Sequence, residues 1–176
     1  MIENNNLKFR LMIDNKEDYQ KVYKWCQEKF VYEWFEQRKL SYEEIVNKYS
    51  NKINKSNQTV LIMEYENIPI GLLQFNKYVD NLEVINKKNF KNIYEYDLFI
   101  GKEAYLSKGI GKTIINTIDN YLFKEKNADA IILRPFKRNI RAIKCYQKCG
   151  YQMISEYLGK NTIGDLEVIC VMLKKF

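Results

Sequence analysis

An aspartate, a glycine turn and a tyrosine carry the chemistry that this sequence suggests. Asp97 lies in the run 93–100, Gly109 and Gly111 follow it, and Tyr146 comes two predicted elements later. Glycines let the backbone approach an anion closely, and the unpaired N–H groups at the start of a helix point toward it. A carboxylate and a phenol can both move protons. The pattern predicts a pyrophosphate cradle beside acid–base groups, which is what an enzyme that acylates amines needs.

The chain contains no histidine, which narrows the chemistry further. Catalysis through a Ser-His or Cys-His pair is excluded, as is any metal site that uses imidazole. Cys145 and Cys149 are four residues apart on a predicted helix, a spacing that could suggest a metal pair. Without a second pair nearby a zinc site is poorly supported, so we expect free thiols in a reducing compartment and no metal.

Length and composition describe an ordinary globular protein. A chain of 176 residues, 46% of them hydrophobic, is most simply a single domain over 1–176. No apolar run approaches the roughly 20 residues of a membrane span, and the N-terminus lacks a signal-peptide pattern. We therefore expect a cytoplasmic protein that does not contact membranes. The net charge of +7 suits a polyanion such as CoA, but no basic stripe is interleaved with aromatics, so nucleic acid is not an expected partner.

Apolar periodicity predicts the elements that must position these residues. A strand over 7–13 precedes a helix over 16–30 with Asp14 as its N-cap, and Ser41 with Glu44 forms the capping box of a second helix. A polar stretch over about 80–92 separates a predicted hairpin, formed by strands 59–65 and 70–78, from the segment 93–151 that contains Asp97, Gly109 and Tyr146. Further strands are predicted over 59–65, 70–78, 93–100, 130–133, 151–158 and 165–174, with helices after the glycine turn and after Asn139. This order predicts an α/β fold with a mixed sheet and helices on both faces.

The strand at 93–100 has two interpretations. Glu95 and Asp97 lie on one face with Phe99, which fits an edge strand with a solvated face. The strand also runs directly into the glycine turn, and α/β sheets place ligands at the C-terminal ends of such strands. The position of Asp97 therefore favours a functional carboxylate.

The predicted helix after residue 139 also allows alternatives. Tyr146 shares a helix face with Ala142 and Cys149, as a core tyrosine would. Asn139 could cap the helix, bind a ligand, or do both.

Two stretches of the chain resemble the acetyl-CoA-binding motifs of the GNAT superfamily of N-acetyltransferases. The first is Asp97-Leu98-Phe99-Ile100-Gly101 with Ser107-Lys108-Gly109-Ile110-Gly111, and the second is residues 139–151, which match N-x-x-A-x-x-x-Y-x-x-x-G-[FY]. Over nearly its whole length the chain is similar to the aminoglycoside 6′-N-acetyltransferases, a similarity carried by 31–35, by 67–71 with Gln74, and by 96–101. The resemblance implies the GNAT fold, a mixed and mostly antiparallel central sheet of about seven strands with helices on both faces.

The resemblance also implies acetyl-CoA as the acetyl donor. The main chain of the glycine turn would hold the pyrophosphate, and N–H groups near Phe99 would polarise the thioester carbonyl where the strands splay. Tyr146 would protonate or hydrogen-bond the departing thiolate. The implied cofactor-binding residues are Leu98, Phe99, Ile100, Lys108, Gly109, Ile110, Gly111, Lys112, Thr113, Asn139 and Tyr146.

The implied acceptor is a cationic small-molecule amine, the 6′-amine of an aminoglycoside, whose acetylation confers resistance. Asp97 would orient this amine and accept its proton directly or through water. The implied substrate-binding residues are Glu33, Trp34, Phe35, Gln74, Asp80, Glu83, Glu95 and Asp97. Arg134 departs from the pattern. At this position, directly before Pro135, related enzymes commonly carry an aspartate that helps to bind the drug. Either Arg134 points away from the acceptor or the substrate differs.

Two other functions remain open on the sequence alone. A GNAT enzyme could acetylate another amine, such as a polyamine, a small metabolite or a protein N-terminus. The chain could also be a basic binding module that keeps the fold without catalysis, although Asp97, Gly109, Gly111 and Tyr146 argue against this. The sequence is compatible with a monomer or a homodimer.

Overall fold

A computed structural model describes residues 2–4, 6–54, 57–79, 85 and 90–176. Its strands are β1 (Ile2–Asn4), β2 (Leu7–Leu11), β3 (Gln58–Tyr65), β4 (Ile68–Lys77), β5 (Ile93–Ile100), β6 (Ala130–Leu133), β7 (Gln152–Lys160) and β8 (Leu166–Lys175). Its helices are α1 (Lys16–Cys26), α2 (Lys29–Phe35), α3 (Tyr42–Ile53), α4 (Ile110–Glu125) and α5 (Ile140–Lys148), with a 3₁₀ turn at Glu103–Tyr105.

Within these residues the strands form one eight-stranded sheet in the order β1-β2-β3-β4-β5-β6-β8-β7. Adjacent strands are antiparallel except β5 and β6, which run parallel. The parallel pairing covers only Ile93–Glu95 against Ala130–Ile132, although β5 continues to Ile100. The mixed, mostly antiparallel sheet is therefore confirmed, and β5 is a central strand that separates from β6 beyond Glu95.

Helices cover both faces of the sheet. The side chains of β5 alternate between the two cores that these helices form with it. On one face Phe99 packs with buried residues of α1 and α3, among them Val22 and Ile45. On the other face Tyr96 packs with buried residues of α4, among them Ile114. Glu95 and Asp97 share the face of Phe99, so they lie on the side of the sheet that α1, α2 and α3 cover.

The N-terminal third differs from the sequence prediction at several points. Strand β1 was not predicted, and β2 ends at Leu11 and not at residue 13. The helix predicted over 16–30 ends at Cys26, and a second short helix, α2, holds the aromatic segment. The N-cap of α1 is Asn15, whose side chain accepts a hydrogen bond from the Asp18 N–H. Asp14 instead accepts from the Tyr19 hydroxyl at 2.5 Å. The capping box of Ser41 and Glu44 at the start of α3 is confirmed.

The predicted state of the cysteines is confirmed: Cys26, Cys149 and Cys170 are buried free thiols, and Cys145 is a half-buried one. Among the helices of the described residues, none has the length and apolarity needed to cross a membrane.

Candidate active site

Asp97 is held by a side chain from the neighbouring strand. Gln74 lies directly opposite it in the β4–β5 register, and the Gln74 Nε2 donates to Asp97 Oδ2 at 3.0 Å. Lys52 Nζ, from α3, donates to the other end of the same amide, Gln74 Oε1, at 2.7 Å. Gln74 is buried, with both ends of its amide used in this way. Its predicted direct contact with the substrate stays a prediction.

The Asp97 side chain is exposed to solvent, yet the protein around its carboxylate desolvates it strongly. Desolvation raises its pKa from 3.8 to about 6, and the nearby charges of Lys52 and Lys48 together with the Gln74 hydrogen bond limit the rise. A carboxylate with this pKa is ionised at neutral pH and can still accept a proton readily. No hydrogen bond from the described residues reaches the second oxygen, Oδ1.

Arg134 pairs with a carboxylate on the same face of the sheet. Its Nη2 lies 2.5 Å from Glu95 Oε2, and its guanidinium carbon lies 5.8 Å from the centre of the Tyr78 ring. Glu95 also accepts from Asn76 Nδ2 at 3.1 Å. The arginine therefore faces a chain carboxylate that balances its charge, and Glu95 has chain partners in addition to any substrate contact that we predicted for it.

The three predicted α2 residues divide between the site and its rim. Phe35 packs edge-on against Phe99 with ring centres 4.8 Å apart, which places it on the Asp97 face of β5. Trp34 instead packs beneath the guanidinium of Arg138 at 4.7 Å. Arg138 Nη1 lies 4.0 Å from Glu33 Oε1. The Nε of the same arginine donates to Glu167 Oε1 at 2.8 Å. Phe35 thus packs on the face of β5 that carries Asp97, whereas Trp34 and Glu33 contact Arg138.

Glu36, the residue after α2, is buried and forms an ion pair with Lys48 of α3. Lys48 also lies over the Phe35 ring, 5.3 Å from its centre. The Glu36 carbonyl oxygen accepts from the Thr162 hydroxyl in the β7–β8 turn. These contacts hold α2 between α3 and the β7–β8 hairpin, above the face of the sheet that carries Asp97.

The glycine turn has the geometry of an anion cradle. Gly109 is the N-cap of α4 and has φ of 81°, in the left-handed region that glycine adopts without strain. A Cβ built there would meet no atom within 4 Å, so the space above the turn is open. The N–H groups of Lys112 and Thr113 donate to the Gly109 carbonyl at 3.0 and 3.3 Å. The predicted donors Lys108, Gly109, Ile110 and Gly111 have no such acceptor among the described residues.

The separation of β5 from β6 exposes main-chain donors. The Gly101 N–H donates to the Ile70 carbonyl at 2.7 Å, which sets the phase of the antiparallel β4–β5 ladder. By alternation the N–H of Phe99 faces β4, whereas those of Leu98 and Ile100 face the side where β6 has diverged. Of the predicted strand donors, Leu98 and Ile100 therefore remain available to a thioester carbonyl, and Phe99 contributes its ring to the acceptor side.

Tyr146 lies on α5, on the opposite side of the diverging strands from α3. It is half-buried and packs against Tyr151 with ring centres 6.0 Å apart. Burial raises the pKa of its hydroxyl, and the charge of Asp97 contributes to the rise. The hydroxyl is therefore protonated at neutral pH and acts as a hydrogen-bond donor. Asn139 caps α5 by accepting from the Ala142 N–H at 3.2 Å, which confirms one of its two predicted roles.

A buried network supports this side of the site. Asp119 of α4 accepts from the hydroxyls of Tyr96 and Tyr151 at 2.9 and 2.7 Å and from Lys174 Nζ at 2.8 Å. Burial raises the pKa of Asp119, and these donors oppose the rise. The network joins β5, α4 and β8 to the end of α5, and so fixes the ring against which Tyr146 packs.

Two predicted residues of the site cannot be described, and two lysines near Asp97 were not predicted. Asp80 and Glu83, predicted to bind substrate, lie outside the described residues. Sequence reasoning missed Lys48 and Lys52, which approach Asp97 from a different element. Their spacing of four on one face of α3 was visible but reads as an ordinary solvated lysine pair. Among the described residues, no group of three or more His, Cys, Asp or Glu side chains could hold a metal ion.

Known proteins resemble this chain in sequence and in fold. The sequence model of the acetyltransferase (GNAT) domain matches residues 14–157. An aminoglycoside N(6′)-acetyltransferase type 1 from Klebsiella pneumoniae is 21% identical over 156 residues, 86% of this chain and 78% of that protein. A spermidine N(1)-acetyltransferase from Vibrio cholerae is 24% identical over 149 residues, 81% of this chain and 80% of that protein. The crystal structure of aminoglycoside acetyltransferase AAC(6′)-Ib with coenzyme A and kanamycin superposes with a TM-score of 0.78 at 21% identity, covering 96% of this chain and 94% of that one.

Proposed function

This chain belongs to the GNAT acetyltransferases, and on that premise we propose that it transfers the acetyl group of acetyl-CoA to the 6′-amine of aminoglycosides. Such a transfer needs a bound donor, an amine that has lost its proton, and a donor of hydrogen bonds to the departing thiolate. The proposal assigns each of these to described residues. Acetylation of the drug in the cytoplasm would make a cell that contains the enzyme resistant.

The observation that carries the proposal is the environment of Asp97. The carboxylate has one oxygen fixed by Gln74, while the other receives no hydrogen bond from the part of the chain that the structure describes, and it lies where β5 leaves β6. Its pKa of about 6 lets it pair with an ammonium group and then take the proton, directly or through water. The freed amine attacks the thioester, so that the acetyl C–S bond breaks as the C–N bond forms, and no covalent enzyme intermediate is required.

The residues around the glycine turn fit the donor. Open space lies above Gly109, and the N–H groups from Lys108 to Gly111 have no acceptor within the described residues, so the turn suits a pyrophosphate. The exposed side chains of Lys108 and Lys112 add positive charge. Leu98 and Ile100 supply N–H groups for the thioester carbonyl, and Tyr146 supplies a hydroxyl for the sulfur. The two halves of the site lie on opposite faces of the sheet, joined through the gap between the diverging strands.

Two findings support an aminoglycoside as the acceptor. Relatives that acetylate the 6′ position of these drugs align over most of the chain. The pairing of Arg134 with Glu95 also removes the main objection from the sequence, because the arginine charge is balanced by a carboxylate rather than left to repel a polycation.

A second candidate is the same reaction on a polyamine. The similarity to a spermidine N(1)-acetyltransferase, at 24% identity over 81% of the chain, supports it. It needs the same Asp97, glycine turn and Tyr146, so it differs from the first candidate only in what the acceptor pocket admits.

A thiol-release assay with acetyl-CoA distinguishes the candidates, with kanamycin, spermidine and a peptide with a free N-terminus offered in parallel. The proposal predicts turnover with kanamycin at a kcat/KM at least tenfold above the other two. Turnover of spermidine alone would support the second candidate. Release from the peptide alone would contradict both and leave only the family-level reaction.

A further inference from the structure

The structure points to a residue outside the predicted site that positions the Asp97 carboxylate. We infer that Lys52 of α3 fixes the orientation of the Gln74 amide, and through it the orientation of Asp97, for the proton transfer. This inference rests on the role proposed for Asp97. It assigns to Lys52 a positioning function through a hydrogen-bond chain, Lys52 to Gln74 to Asp97, and not a contact with either substrate.

The chemistry of the three groups allows one arrangement only. An ammonium has donors and no acceptor, an ionised carboxylate has acceptors and no donor, and an amide has one end of each kind. Gln74 must therefore present Oε1 to Lys52 and Nε2 to Asp97, as the distances of 2.7 and 3.0 Å show. Without Lys52 the amide could rotate by half a turn and place its oxygen against the carboxylate, which would repel Asp97 from its position.

The fold makes this arrangement rigid. Gln74 is buried on a central strand directly opposite Asp97, and Lys52 lies in the last turn of α3 with its Nζ 5.7 Å from the centre of the buried Tyr49 ring. A bond at Oδ2 leaves Oδ1 to face an incoming amine. The three residues come from α3, β4 and β5, so the chain of bonds also ties the helix that covers the acceptor side to the strand that carries the carboxylate.

The charges around Asp97 give the inference a second consequence. Lys48 and Lys52 of α3, Gln74 of β4 and Glu95 of β5 act on its pKa, and Lys52 is the largest of the groups that lower it. Tyr146 of α5 also senses the Asp97 charge but is protonated at neutral pH. Removal of Lys52 should therefore both loosen Asp97 and raise its pKa, whereas an arginine at this position keeps a donor and a charge.

The test combines a direct titration with kinetics on the full chain. In Lys52→Met the Asp97 carboxyl, followed by ¹³C NMR, should titrate roughly one pH unit higher than in the wild type. Turnover at pH 9, where Asp97 is ionised in every variant, should fall roughly tenfold because the carboxylate is misplaced. Lys52→Arg should restore both values. Lys24→Met, which removes an exposed lysine of α1, serves as the control for loss of one charge and should change neither.

A double-mutant cycle identifies the route through the amide. If Lys52 acts through Gln74, then Lys52→Met should cost less than twofold in turnover at pH 9 once Gln74→Leu is present. Full multiplication of the two effects would overturn the inference, as would an unchanged Asp97 titration in Lys52→Met. If that variant fails to melt cooperatively, Lys52→Gln, which keeps a donor without the charge, replaces it. Full turnover in Asp97→Asn would instead contradict the proposed function, while the titration would still report on Lys52.

Discussion

Arg134 Nη2 and Glu95 Oε2 lie 2.5 Å apart across the first point at which β5 and β6 separate. The pair places a balanced charge beside the acceptor side of the site, at a position where the sequence suggested an unbalanced one. It also means that Glu95 can bind an ammonium group only in competition with, or in addition to, the arginine.

This competition predicts opposite effects from the two partners. Arg134→Gln leaves the Glu95 carboxylate to a cationic acceptor and should lower the KM for kanamycin, whereas Glu95→Gln leaves the guanidinium unbalanced and should raise it. Each change should be roughly three- to tenfold, as expected for a net contribution of about 0.5–1.5 kcal/mol from one hydrogen bond. Steady-state kinetics with kanamycin varied would measure both, and the KM for acetyl-CoA should stay constant. Equal changes in the same direction would argue that the pair supports the fold and does not tune the acceptor site.

A second prediction concerns the glycine turn. Gly109→Ala adds a Cβ in the open space above the turn at a φ of 81°, so it should raise the KM for acetyl-CoA and cost about 1–2 kcal/mol of stability. Gly164→Ala is a matched control, since Gly164 has φ of 94° and equally open surroundings in the β7–β8 turn. It should cost similar stability and leave the KM for acetyl-CoA unchanged. Equal KM values for the two variants would place the donor elsewhere.

The tyrosine on α5 gives a third prediction. Tyr146→Phe should slow turnover roughly 10- to 100-fold, the range for loss of one hydrogen bond to a developing charge. Because burial raises the pKa of this hydroxyl, the wild-type rate should stay flat through the ordinary tyrosine pKa near 10. Tyr121→Phe, which removes a hydroxyl from a ring packed against Phe75, is the control and should keep the wild-type rate. An undiminished rate in Tyr146→Phe would mean that this residue only packs in the core and takes no part in the reaction.

Asp97 should reduce the stability of the fold at neutral pH. Its pKa is 3.8 in the unfolded chain and about 6 in the folded one, so folding favours the protonated form. Well below pH 3.8 the group is protonated in both states and has no effect. Well above pH 6 it is ionised in both, and the folded state bears the full desolvation cost. Asp97→Asn should therefore raise the melting temperature at pH 8 more than at pH 4. Thermal melts at the two pH values measure this, and a larger gain at pH 4 would contradict the raised pKa.

The sequence predicted the central strand and its neighbours well, because local patterns determine them. The run 93–100, its two flanking motifs and the capping box at Ser41 needed no information from distant residues. The break between α1 and α2 did need it. No glycine or proline marks the break, and Gln27, which follows α1, donates from its side chain to the Leu40 carbonyl at 2.9 Å. That contact exists only once the chain has turned back on itself.

The charge pattern of the site was likewise beyond the sequence. Arg134 pairs with a residue 39 positions away, and Lys52 with one 22 positions away. Each side chain taken alone resembles a solvated surface group. The pairing of β6 with β5 brings Arg134 to Glu95, whereas the register of β4 against β5 and the packing of α3 bring Lys52 to the amide beside Asp97. The residues with motif context could be predicted, whereas those that tune the carboxylate could not.

The most direct test of the proposed function is the position of the acetyl group on the product. After reaction of kanamycin with acetyl-CoA, mass spectrometry should show one added acetyl group and NMR should place it on the 6′-nitrogen. An analogue with a blocked 6′-amine should release no thiol above the background. An acetyl group on another amine of kanamycin, or thiol release with the blocked analogue at the kanamycin rate, would contradict 6′-acetylation.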